Sequence, residues 1–343
     1  MAKKTNTNIN GNLYYRVTRT IGHDASGKPI KKQFYGSGIN EANEKANAFM
    51  SELKLGLRSD RGVVTINSLF PSWLFDNKSN TIKRSTLETY EGLYRNYIKT
   101  SFIATQPLGE LRSVHIQKFY KKLSETKAVH SDKNVSIARI KSIHKLLHLF
   151  FAYCVNEGYL LRNPCTNVTI PKEKLDPNKV MAKKLKFDYF TVDELGLILQ
   201  AFQDSSYLPI IVMAIGTGMR QGEILGLQWE DVDFENRSIH VIHNLCNSCD
   251  FDEAGNRFYS LQLTTPKSAN AVRTIPMSDT IFNLLSGLEQ TNTMVFPSKQ
   301  NTYINSKNLL KVWQQKLKTL GIRYRKFHDL RHTFATLLLA NRC

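Results

Sequence analysis

The chain has 343 residues, a net charge of +18, and 41% hydrophobic and 10% aromatic residues, enough for two or three domains with buried cores. This excludes a disordered chain; no apolar run approaches the about 18 residues of a membrane span, no signal peptide opens it, and its scattered cysteines argue against a disulfide scaffold. The charge is uneven: residues 1–62 carry 11 basic and 5 acidic side chains, 63–184 carry 20 and 9, and 185–343 carry 16 and 15.

Residues 12–21 alternate and are rich in β-formers, which predicts a strand. Turn chemistry at 23–29 and a returning strand over 31–36 follow. Helical spacing of Ala, Phe, Met and Leu predicts a helix over 40–55, stopped by Gly56 and the polar 58–62. This small sheet with one helix carries Arg16, Arg19, Lys28, Lys31 and Lys32. That set suits a DNA-facing surface, and equally a structural cap.

Residues 65–165 read as all-helical. Ser85-Thr86-Leu87-Glu88 has the form of a capping box, and Leu87, Tyr90, Leu93, Tyr94 and Tyr97 recur behind it at helical spacing, as packing groups rather than base stackers. Further helices are expected over 113–124 and 134–157, the second turning Ile137, Ile140, Ile143, Leu147, Phe150 and Phe151 inward. Gly158 and Asn163-Pro164 close this region. Lys118, Lys121, Lys122, Arg139, Lys141 and Lys145 lie on these helices, where positive side chains suit phosphate and groove contacts. Residues 166–189, rich in lysine with Pro171 and Pro177, read as a basic linker, either wrapping a duplex or merely solvated. A new domain opens at Phe190, with Thr191 and Glu194 as a capping box and Phe190 and Leu195 as a hydrophobic staple.

The chemistry concentrates in three phrases. An apolar helix from Leu208 ends in Gly216-Thr217-Gly218-Met219-Arg220-Gln221-Gly222-Glu223-Ile224, which delivers one arginine between two helices. Thr265-Pro266-Lys267-Ser268 is a turn offering a lysine, and Val272-Arg273-Thr274-Ile275-Pro276 is the strand leaving it. Lys326-Phe327-His328-Asp329-Leu330-Arg331-His332 starts a helix with His328 and Arg331 on one face. Two arginines, a lysine and a histidine at one site match a phosphodiester in transition. Arginines clamp the non-bridging oxygens, a lysine protonates a departing sugar oxygen, and a histidine donates to the phosphate or shuttles a proton. Each phrase alone is weak, because a helix-end arginine is ordinarily a salt bridge and a turn lysine is ordinarily solvated.

Together these phrases resemble the tyrosine recombinases, and among them the integrases of temperate phages and conjugative transposons. The resemblance implies a multidomain α+β fold. Residues 1–62 would be an arm-type DNA-binding domain with a three-stranded sheet and a helix, and 63–168 a helical, SAM-like core-binding domain. Residues 169–189 would be the basic linker, and 190–343 a mainly helical catalytic domain with a small sheet, incomplete at its C-terminus. Arg220, Lys267, His328 and Arg331 would be catalytic, with Glu223 supporting Arg220. The family cuts DNA through a tyrosine, forming a 3′-phosphotyrosyl link, and exchanges strands in a tetramer through a Holliday junction without metal or other cofactor. The implied partners are double-stranded DNA at core and arm sites, further copies of the chain and DNA-bending accessory proteins; the implied place is the cytoplasm of a bacterial host, at the nucleoid.

The sequence departs from the pattern in one respect. The nucleophilic tyrosine follows the His-Asp-Leu-Arg-His phrase in this family, and no tyrosine follows Arg331 here. A phosphate pocket without a nucleophile cannot carry covalent catalysis, so these 343 residues are expected to bind DNA without cutting it. Three readings compete: a recombinase in shortened form, a natural integrase remnant that only occupies DNA, and a type IB topoisomerase, which the arm-type N-terminus and small size oppose. Two other signals carry no site. His240, His243, Cys246 and Cys249 have zinc-like spacing, but residues three apart on a strand face opposite ways; residues 244–257 read instead as a long hairpin loop, and no metal is expected. Gly216 and Gly218 lack the strand and third glycine of a dinucleotide fingerprint.

Overall fold

The computed structural model describes residues 7–23, 26–60, 62–129, 131–172, 189–252, 256–265 and 272–340. The fold is mixed α+β, and the chain divides into two compact units, Met1–Lys174 and Leu175–Cys343. No helix among the described residues is long and apolar enough to cross a membrane.

The first unit begins with an antiparallel sheet in the order β1 (Thr7–Ile9), β2 (Asn12–His23), β3 (Pro29–Gly36). The residue pattern alone predicted only the β2–β3 hairpin. The missed signal is Asn10-Gly11, where both residues take positive φ as a two-residue hairpin turn requires. In β2 and β3 the period of two buries Val17 and its register partner Phe34. Both pack on α1 (Ile39–Lys54), whose Ala42 and Ala46 are fully buried, small enough to let helix and sheet close together.

A second, larger cluster fills the helical part of this unit. α2 (Ile66–Ser72) contains Pro71, which cannot donate to the helical ladder, and widens into a π turn over Trp73–Lys78. α3 (Arg84–Leu93), α4 (Phe102–Thr105), α5 (Ser113–Glu125) and α6 (Ile137–Asn156) complete it. Ile140, Ile143, Leu147, Phe150 and Phe151 are all fully buried, as their spacing predicts, while Ile137 is only partly covered. Phe70 stacks on Tyr94 at 4.3 Å and meets Trp73 at 5.0 Å, so this tyrosine is core packing. The Tyr120 hydroxyl lies 3.1 Å from His144 Nδ1, joining α5 to α6.

The capping box expected at Ser85 and Glu88 does not form. Lys83 takes the extended N-cap conformation, α3 starts at Arg84, and Ser85 falls inside the first turn, where its carbonyl accepts from the Thr89 hydroxyl. A Ser-x-x-Glu spacing fits a first turn as well as a cap, so it could not fix the boundary.

In the second unit, α7 (Val192–Ala201) has the expected box: the Thr191 hydroxyl accepts from the Glu194 amide and the Glu194 carboxylate from the Thr191 amide. Phe190 and Leu195 are buried in one cluster. α8 (Leu208–Thr217) and α9 (Gln221–Leu225) follow. A three-stranded sheet runs β4 (Val232–Asp233), β5 (Ser238–Val241), β8 (Arg273–Pro276), beside a separate hairpin of β6 (Asn244–Phe251) and β7 (Arg257–Thr264). Residues 244–251 are therefore strand rather than loop, because they pair along their whole length with the aromatic-containing β7. α10 (Asp279–Ser286), α11 (Ser306–Thr319) and α12 (Asp329–Ala340) enclose the core. At its centre Trp313 is fully buried among Phe190, Phe202 and Phe327, its indole N–H donating to the Arg325 carbonyl at 2.9 Å.

Candidate active site

The site grows from the end of α8. The Thr217 hydroxyl donates to the Met213 carbonyl at 2.6 Å and accepts from the Met219 amide at 3.2 Å, which stops the helix by side-chain competition. Gly218 then turns left-handed, with φ +61°; a Cβ there would collide with the Phe334 ring of α12. Any larger residue would be strained in backbone and would force the Phe334 ring to shift. The turn buries Met219 and sets Arg220 as the N-cap of α9.

Glu223, three residues on, reaches back. Its carboxylate accepts from the Arg220 amide at 2.8 Å and from Arg220 Nη1 at 2.7 Å. It is 3% exposed, so its charge needs partners. Arg273, the first residue of β8, donates Nη1 to Oε1 at 3.1 Å and Nη2 to Oε2 at 2.7 Å. Burial pushes the Glu223 carboxyl up, but the bonds from Arg273 and Arg220 outweigh it and hold the group below its ordinary range.

α12 brings the remaining groups. Arg331 donates Nη1 to the Gly218 carbonyl, pinning the first turn of α12 to the end of α8. Its guanidinium is held below the usual arginine range by burial and by the charges of Arg220 and Arg273, so the three cations share one neighbourhood. The helix starts at Asp329, and His328 stands one residue before it rather than within it; its carbonyl accepts from the Arg331 amide at 3.1 Å. Burial, then His332 and Arg331, lower His328, which leaves its imidazole neutral near pH 7. The His328 and His332 rings meet edge-on at 5.4 Å.

The structure thus gathers Arg220, Glu223, His328 and Arg331, and adds Arg273, which the residue pattern marked only as part of a strand. Lys267 lies outside the described residues. The zinc-like set does not converge: His240 Nδ1 pairs with the Thr274 hydroxyl and His243 Nδ1 with Asp231, while Cys246 lies beside Thr264. Glu230, Asp231 and His243 lie close enough to share an ion, yet Asp231 Oδ2 is taken by His243 and by the Gln228 amide it caps.

In the first unit, Lys118, Lys121 and Lys122 are exposed on α5, and Arg139, Lys141 and Lys145 are exposed on α6. The sheet divides its basic residues by strand parity. Arg16 and Lys31 are exposed on the face away from α1, whereas Arg19 donates to the Asn43 side chain of α1 at 3.0 Å and Lys32 sits 4.0 Å from the centre of the Phe49 ring.

Two family models match the chain: the phage integrase family over residues 188–343, and the phage integrase N-terminal SAM-like domain over residues 65–124. A tyrosine recombinase XerC-like protein of Caldanaerobacter subterraneus subsp. tengcongensis is 36% identical, across 98% of this chain and 88% of that protein. Among solved structures, the Tn1549 transposon integrase bound to circular intermediate DNA aligns with a TM-score of 0.59 at 18% identity, over 81% of this chain and 88% of its own. A lambda integrase tetramer bound to a Holliday junction aligns with a TM-score of 0.57 at 18% identity, over 98% of this chain and 91% of its own.

Proposed function

Because the chain belongs to the phage integrase family of tyrosine recombinases, we propose that it is a site-specific recombinase that binds attachment-site DNA to integrate or excise a mobile element. The observation that carries this reading is the convergence of Arg220 and Arg331, with His328 beside them, around Gly218 and Glu223. Arg220 and Arg331 grip the non-bridging oxygens of one phosphodiester and stabilise the charge that grows in its transition state. Neutral His328 donates to the same phosphate, and Lys267 protonates the leaving 5′-oxygen. No cofactor enters these steps.

The first unit supplies the grip on the duplex. Lys118, Lys121 and Lys122 on α5 and Arg139, Lys141 and Lys145 on α6 hold the core site, and the open face of the sheet, with Arg16 and Lys31, holds arm-site DNA. Arg19 and Lys32, engaged on the α1 side, support that sheet. By the three separate clusters and the family match, 1–62, 63–168 and 190–343 work as arm-binding, core-binding and catalytic domains, joined by the 169–189 linker. Strand exchange takes place in a tetramer, with DNA-bending proteins assisting, in the bacterial cytoplasm where the host DNA lies.

Cleavage needs the nucleophile, and no tyrosine lies between Arg331 and Cys343. A second reading, occupancy of DNA without cutting it, is separated from the first by one test. The test is to read the source frame past codon 343 and assay the encoded protein for a covalent adduct with attachment-site DNA. An adduct lost in Arg220→Ala supports the recombinase. A stop codon after Cys343, with binding and no adduct, supports the DNA-holding role.

A further inference from the structure

Arg273 joins Arg220 on the Glu223 carboxylate without belonging to the set that the family resemblance assigns. We propose that Arg273 is a positioning residue: it takes up the charge of Glu223 so that Arg220 keeps its own charge for the phosphate. The inference rests on the phosphate-pocket reading above, and deepens it.

Glu223 sets up a conflict. A carboxylate that orients an arginine also neutralises it, and a neutralised arginine is a poor ligand for a phosphate. At Glu223 the conflict is sharp, because a buried carboxylate interacts strongly with whatever cation it meets. The geometry resolves it by dividing the contacts unequally. Arg273 takes both carboxylate oxygens, at 3.1 and 2.7 Å, in the bidentate arrangement that suits a guanidinium. Arg220 uses only Nη1 on Oε1, while its backbone amide takes Oε2. Its Nε and Nη2 keep no acceptor among the described residues, and its side chain is 48% exposed. Arg220 and Arg273 thus share one anion, Arg331 adds its charge from the Gly218 carbonyl, and two positive charges remain for the site.

Holding the strand does not require this guanidinium. β8 is already paired to β5 from Val241↔Arg273 through Ser238↔Pro276. The guanidinium on Glu223 performs an electrostatic task that a backbone ladder cannot.

The test follows the Arg220 guanidinium by arginine-selective ¹⁵N NMR in the 343-residue chain, assigned by loss of the signal in Arg220→Lys, during titration with inorganic phosphate. Arg273→Ala should loosen the restricted rotation of Arg220 and weaken phosphate binding at that signal about tenfold, the loss of one strong charge-assisted contact. Adding Glu223→Gln to Arg273→Ala should restore most of the phosphate affinity, because no carboxylate remains to neutralise Arg220. A merely structural arginine would give the opposite, a double variant no better than the single one, and that result overturns the proposal. Arg273→Lys, which keeps the charge but not the fork, serves where Arg273→Ala fails to fold; it should fall between wild type and alanine, and wild-type behaviour in it would also count against the proposal. Failure of phosphate to shift Arg220 in the wild type would sink the phosphate-pocket reading itself, while the rotation of Arg220 would still report on Arg273.

Discussion

In the first unit Lys118, Lys121 and Lys122 stand exposed along α5, whereas in the second Arg220, Arg273 and Arg331 are tied to a buried carboxylate and a backbone carbonyl. The exposed lysines can follow a polyanion over many geometries, and their effect depends on their number and on salt. The arginines are fixed in direction before any ligand arrives, which suits one phosphate in one orientation. Under the proposed function, net charge points to the first role and side-chain geometry to the second.

The largest effect should come from the core beneath the exposed lysines. Phe150→Ala removes a ring packed against Phe70, Trp73 and Phe151, and should cost about 3–5 kcal/mol. Two melting transitions are expected, and only that of the first unit should fall; a joint fall would mean that the units do not melt separately.

Next, in a form of the protein that carries the nucleophile, Arg331→Ala should lower cleavage about 100-fold or more while duplex affinity stays within about threefold. Equal loss of cleavage and binding would erase the contrast between pocket and surface.

The third effect is acid sensitivity. Glu223 and His328 are both held below their ordinary values, 4.5 and 6.5, so each contributes stability that is complete above that value. This contribution is lost as pH falls through the folded-state value, so the melting midpoint of the second unit should fall on acidification from about pH 6.5. Glu223→Gln should destabilise the unit at neutral pH and flatten the acid limb below about pH 4.5, measured by thermal melts across pH. An unchanged limb would show that the carboxylate is not charged in the fold.

The smallest effect on stability, and the sharpest on salt, belongs to α5. Replacing Lys118, Lys121 and Lys122 with alanine should leave the melting midpoint nearly unchanged and reduce the slope of log affinity against log salt by about 3. A slope equal to wild type would place the duplex elsewhere.

Local signals made much of the fold readable. The alternation of Val17, Arg19 and Ile21 against Arg16, Thr18 and Thr20 marks β2, and the spacing of Ile140 through Phe151 marks α6, because each element buries one face. The same parity puts Arg16 and Arg19 on opposite faces of the strand, whereas charge alone groups them together. Thr191 with Glu194 was readable as a cap, while Ser85 with Glu88 was not, since a neighbouring lysine took the extended conformation and claimed the helix start. The Arg220-to-Glu223 link lies within one turn and was legible. The Arg273-to-Glu223 link spans fifty residues and depends on β8 pairing with β5, which no local spacing encodes.

The most direct test of the central claim is an anomalous difference map from crystals of the chain soaked in tungstate, a tetrahedral oxyanion shaped like phosphate. The strongest peak should lie between the Arg220 and Arg331 guanidinium groups, within hydrogen-bond reach of His328. Peaks confined to the surface lysines, with none at the arginine pair, would contradict it.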